Sequence, residues 1–208
     1  MKDKLNKFSV PLGLLDYINP IFYSITIITI IKNTNLNSPY NTILLIGAIL
    51  SIFFGFIIPT GKVIVGLGLI KFKMPVSLVF CVNSGILMSG LMLLKYVLSL
   101  KLSLLLLILG IIVLLLILMY LQSKKFNTIA VLIGAFGYLM LYTSLITLSI
   151  KNNITIPIIL YALAILLFIM LCGIGIKANL KNPKVHWLIE ISNVICQGLV
   201  AIATLILF

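Results

Sequence analysis

Apolar stretches of about bilayer-crossing length recur along the chain, separated by short polar breaks. They occupy residues 11–31, 41–59, 75–94, 102–121, 126–150, 155–176 and 185–207. A helix needs ~20 mostly apolar residues to cross the hydrocarbon layer, and each stretch meets that length. The breaks carry turn chemistry at Asn33 to Pro39, Asn152-Asn153 and Asn179 to Pro183. The pattern predicts an all-α, polytopic transmembrane helical bundle of seven spans, forming a single domain over residues 1–208. Residues 60–73 hold a shorter apolar run bracketed by Lys62 and by Lys71 and Lys73, which reads as an interfacial helix or a re-entrant segment.

Within the spans, polar and small residues are not scattered. The third places Ser77, Cys81, Gly85 and Ser89 four residues apart, and the second does the same with Gly47, Ser51 and Gly55. Small residues on one face let helix backbones approach closely where no hydrophobic force drives association, so these two spans are expected in the packed centre. The fourth span is almost entirely Leu, Ile and Val and is expected to face lipid. The first carries Asp16, Asn19, Tyr23 and Thr26 on one helical face, and the seventh carries His186, Glu190, Asn193 and Gln197. Such stripes are costly against lipid and belong toward the bundle interior or a wet cavity. At a rise of ~1.5 Å per residue, Asn19, Asn83 and Asn193 each lie about 12 Å from the start of their span. A polar layer between spans 1, 3 and 7 follows, with Asp16 and Glu190 at its mouth. The candidate substrate-binding residues are Asp16, Asn19, Tyr23, Asn83, Glu190, Asn193 and Gln197. A packing reading stands beside it: both acids sit near helix N-termini, where carboxylates are favoured, and buried amides also join helices.

Composition explains the pattern. Of 208 residues, 62% are hydrophobic and 9% charged, too few charges for a water-facing surface. Lipid bilayer is therefore the chief partner. The net charge of +12 comes entirely from lysine. These lysines fall between spans rather than on one basic face, which excludes nucleic acid and instead reports orientation. Eleven of the 15 lysines lie in segments that are cytoplasmic if the N-terminus is inside, which predicts the C-terminus outside. The Lys-, Ile- and Asn-rich usage fits the cytoplasmic membrane of a bacterium with an AT-rich genome. Met1 to Lys7 resembles the basic end of a signal peptide, but no small-residue cleavage site follows, so the first span is read as uncleaved.

Few chemistries remain. Cys81, Cys172 and Cys196 are isolated within apolar runs and read as small buried hydrophobes. One histidine cannot supply an HExxH zinc site, and dispersed carboxylates do not form a magnesium cluster. Thr60-Gly61-Lys62 lacks the upstream glycine of a phosphate loop. No metal, cofactor or catalytic residue is indicated. His186 and Trp187 read as an interfacial anchor. Asn19-Pro20 is expected to bend the first span. The functional expectation is a small-solute transporter or the membrane-embedded substrate-binding subunit of one, with other transporter subunits as candidate partners. A structural or accessory subunit is the alternative. A small intramembrane hydrolase using Glu190, Asp16 and His186 is a second.

Overall fold

A computed structural model describes residues 9–69, 75–123, 126–177 and 183–208, with the side chains of 123, 127, 172–177 and 183 outside the description. Eight α-helices account for nearly all of these residues, with no strand among them. They are α1 (Val10–Asp16), α2 (Ile18–Asn33), α3 (Tyr40–Gly66), α4 (Val76–Leu98), α5 (Leu102–Ser123), α6 (Phe126–Lys151), α7 (Thr155–Lys177) and α8 (Pro183–Leu207). Taking α1 and α2 as one crossing, six segments are long and apolar enough to span a bilayer, and α7 adds a shorter described apolar stretch at Thr155–Leu171. The protein is a membrane-spanning helical bundle.

The first crossing is interrupted at Tyr17, which separates α1 from α2. Pro20 has no N–H to offer the carbonyl of Asp16, so the helical ladder loses a bond at that turn. The expected bend is thus a one-residue break, and Asn19 and Asp16 flank it. A second proline, Pro59, lies inside α3 without ending it. Residues 60–66 therefore continue the second span as helix, where the sequence suggested the start of a separate interfacial or re-entrant segment. An apolar run with a single lysine extends a helix as readily as it begins a new one. Within 60–73, residues 70–73 lie outside the described part of the chain.

The helices close into a ring in the order α1/α2, α3, α4, α6, α7, α8, with α8 returning to α1 and α2. Counting α1/α2 as one, the ring thus consists of two runs of three consecutive helical segments. Helix α5, which joins them, packs outside on α6. Only one stripe of α5 is covered, at Leu105, Ile108, Ile112 and Leu116, and its other described side chains are exposed. This is the lipid-facing helix that its composition suggested.

Glycines set the closest approaches. A Cβ on Gly85 of α4 would stand 2.5 Å from the carbonyl oxygen of Gly47 and 2.7 Å from the amide nitrogen of Ser51, both on α3. Five residues along α4, about 140° around the helix, a Cβ on Gly90 would stand 2.5 Å from the Gly137 carbonyl oxygen of α6. Helix α4 is therefore clasped by backbone on two faces. The small-residue stripes of α3 and α4 meet as their spacing suggested, whereas the α6 surface around Gly134 and Gly137 was not singled out by the sequence.

Beyond the glycine contacts, packing is aromatic and aliphatic. Tyr142, Tyr161, Leu141, Leu145, Leu44 and Ile27 are fully buried. At the end of the bundle where α4 and α6 finish, Lys95 donates to the Leu100 carbonyl at 2.9 Å and lies over the Tyr40 ring, and Lys151 donates to the Val97 carbonyl. Lys151 thereby satisfies a carbonyl left open in the last turn of α4, and Lys95 one in the connection that follows it. Cys196 is buried and donates to the Ala164 carbonyl, and Cys81 is half-buried. The side chain of Cys172 lies outside the described residues.

Candidate functional site

A cavity of about 230 Å³ opens within the ring. Its walls come from Asp16, Asn19, Pro20 and Tyr23 of the first crossing, Ser51, Gly55 and Ile58 of α3, Val82, Asn83 and Ile86 of α4, Tyr138 of α6 and Asn193 of α8. Five of the seven residues singled out by the sequence therefore surround one space: Asp16, Asn19, Tyr23, Asn83 and Asn193. The walls extend beyond spans 1, 3 and 7 to include spans 2 and 5.

The other two stand apart from it. Gln197 is buried deeper along α8 and donates to the Tyr142 hydroxyl at 3.3 Å. Together with Cys196 and the Ala164 carbonyl it ties α8 to α6 and α7. Glu190 lies toward the start of α8 and engages Lys62, whose ammonium is 2.7 Å from Glu190 Oε1 and 2.6 Å from Asp16 Oδ2. All three side chains are nearly buried. Asp16 lines the cavity, and Glu190 is joined to it only through an ion cluster centred on a lysine from α3.

Lys62 is a residue of the site that sequence reasoning missed. It was placed at the start of an interfacial or re-entrant segment, whereas α3 runs on past it and carries it into the bundle. The available signal was the pair of acids at equal depth on two spans: buried carboxylates need a counter-charge, and Lys62 is the lysine nearest their level. Close packing delivers the contact. A Cβ on Gly13 would stand 2.8 Å from a Val63 methyl group, so α1 lies directly on α3, and Asp16 follows one turn later beside Lys62. The Tyr17 hydroxyl adds a 2.7 Å hydrogen bond to Thr60 at the same level.

Inside the cavity the polar groups are unevenly satisfied. Asn83 donates to the Ala130 carbonyl of α6 at 2.7 Å and packs over Gly134. Asn19 donates to Asp16 Oδ1 at 3.0 Å, while its own Oδ1 is buried with no hydrogen-bond partner. The Tyr23 hydroxyl, close to Ser51 and Ser89, is buried without a well-formed hydrogen bond. The hydroxyls of Ser51 and Ser89 donate back to carbonyls one turn earlier on their own helices. Pro20 and Pro59 free the carbonyls of Asp16 and Gly55 from their i+4 donors, and both residues line the cavity. The wall is therefore rich in hydrogen-bond acceptors.

His186 is half-buried and Trp187 is 36% exposed, both in the first turn or so of α8. Among the described residues, no group of three His, Cys, Asp or Glu side chains is placed to hold a metal ion. The fold and cavity define a helical integral membrane protein with a polar pocket inside its ring. No protein-family model matches the chain, and comparisons with curated proteins and with solved structures find no match.

Proposed function

We propose that the protein is a small-solute transporter, or the membrane-embedded substrate-binding subunit of one, and that the cavity between α1/α2, α3, α4, α6 and α8 is its solute site. One observation carries this reading: the cavity is walled by the buried, unpartnered Asn19 Oδ1 and Tyr23 hydroxyl. Polar groups retained only to join helices find their partners within the protein, because each unpaired one costs about 1–3 kcal/mol. A partner arriving with a solute gives these atoms a use. The volume suits a molecule smaller than a drug-sized ligand, whose pockets begin at about 300 Å³. The hydrolase reading is less favoured. Asp16 and Glu190 are both engaged by Lys62, and neither Glu190 nor His186 is among the residues lining the cavity.

The topology proposed with it has seven crossings, α7 being the sixth, in the cytoplasmic membrane of a bacterium. The N-terminus is inside and the C-terminus outside, which puts the Asp16–Lys62–Glu190 cluster on the cytoplasmic side of the cavity. Reporters fused at Met1 and at Phe208 should then report from opposite compartments; signals from the same compartment would refute the odd count.

Reconstituted into liposomes and offered a panel of small polar solutes, the protein should speed the entry of a subset. Asn193→Leu should slow that entry about tenfold, the equivalent of one buried hydrogen bond, while the melting temperature stays near that of the parent. If no solute enters faster and Asn193→Leu only lowers the melting temperature, the polar residues serve packing and the accessory reading holds.

A further inference from the structure

Three charged side chains meet at Asp16, on the cavity wall, and their formal sum is negative: two carboxylates share one ammonium. His186 stands one turn before Glu190 on α8, with Lys184 further toward the helix start, so added positive charge on α8 lies on the Glu190 side. Of the two acids, only Asp16 lines the cavity. The atoms left over inside have the same sense. Asn19 Oδ1 is an acceptor with no donor, on a residue only 9% exposed that lines the cavity. The carbonyls of Asp16 and Gly55 have lost their helical donors to Pro20 and Pro59. The rings of Tyr23 and Tyr138 also line the wall and give it apolar surface.

Building on the solute-site reading, we infer that the occupant is a small organic cation, a protonated amine. Its ammonium is taken by the Asp16 carboxylate and Asn19 Oδ1, and its apolar part lies against Tyr23, Ile86 and Tyr138. An ammonium brings donors and no acceptor, which matches a wall with surplus acceptors. A carboxylate or phosphate ligand would bring only acceptors, and the nearest cation, Lys62, is already held between two carboxylates. Lys62 also explains how Asp16 is kept paired without ligand. Its ammonium sits where the ligand's charge is needed, and it retains Glu190 when the ligand takes Asp16. Binding is then an exchange of one ammonium for another at Asp16, with Glu190 as the position to which Lys62 withdraws.

The test uses the purified full chain in detergent at constant ionic strength. Its melting temperature is followed with straight-chain primary amines of two to eight carbons, and with amides and carboxylates of matched length. The inference expects amines alone to raise the melting temperature, saturably and by about 2–4 °C. Asn19→Leu, which leaves the ion cluster its three members, should weaken the apparent amine affinity at least tenfold. Asp16→Asn, where it folds, should abolish the shift. A shift from amides or carboxylates instead would overturn the cation assignment while leaving a solute site in place. An amine shift unchanged in Asn19→Leu would place the cation elsewhere and overturn the inference. Absence of a shift from any of the three classes would also overturn it, and the transport reading would then stand or fall separately on liposome entry and its loss in Asn193→Leu.

Discussion

Lys62→Met should be the most damaging single substitution in the bundle, lowering stability by about 3–5 kcal/mol. The side chain lengths are similar, so the change removes charge and hydrogen bonds while roughly keeping volume. What remains is two carboxylates, each about one-tenth exposed, facing one another without a counter-ion. Removing one partner of a buried charged pair costs more than the pair contributes, because the survivor is left desolvated. The same reasoning ranks the other members. Asp16→Asn or Glu190→Gln leaves Lys62 with a single carboxylate, a balanced pair, and should cost clearly less. The triple neutral variant Lys62→Met, Asp16→Asn, Glu190→Gln should recover most of the loss. Thermal or chemical unfolding of the purified variants in one detergent reads all of these. A Lys62→Met protein as stable as its parent would show that the cluster is hydrated and contributes little.

Gly85→Ala should cost about 1–3 kcal/mol, the usual range for overpacking, or several degrees of melting temperature for a chain of this size. The added methyl group meets the backbone of Gly47 and Ser51 rather than a flexible side-chain tip, so relief requires α3 and α4 to separate. That movement would also open the cavity wall, because Ser51, Val82 and Ile86 belong to it. An internal control lies on α5. A Cβ on Gly110 meets nothing within 4 Å, and alanine is the better helix former by about 0.8–1.0 kcal/mol. Gly110→Ala should therefore leave stability unchanged or raise it. Equal effects at the two glycines would refute backbone contact between α3 and α4.

Much of this arrangement was legible before the structure, and the physical reason is contrast. Polar and small residues stand out against an apolar background, so the stripes on the first, second, third and seventh spans could be read directly. The common depth of Asn19, Asn83 and Asn193 could be counted from helix starts. Where contrast fails, legibility fails. In α5 nearly every residue is Leu, Ile or Val, and nothing in the sequence marks Leu105, Ile108, Ile112 and Leu116 as the covered stripe. The ring closure of α7 onto α8 is similarly silent, because α7 is apolar all round. Lys62 was missed for another reason. A lysine after a proline near the end of an apolar run looks like the edge of the membrane, and only the helix continuing through Pro59 shows that it turns inward. Tyr138 was missed because the stripe it belongs to, with Tyr142 and Ser149, holds no carboxylate or amide to stand out against the apolar background.

The length of α3 has a consequence for the lipid around it. Its 27 residues make a rod of ~40 Å, some 10 Å more than the ~30 Å hydrocarbon thickness. Such a mismatch is absorbed by tilting or by letting an end protrude among the headgroups. Lys62 rides near that end, six turns beyond Tyr40, so acyl-chain length sets how far its ammonium sits from the lipid phosphates. In short-chain bilayers the phosphates would compete with Asp16 and Glu190 for it, whereas thicker ones would leave it among the carboxylates.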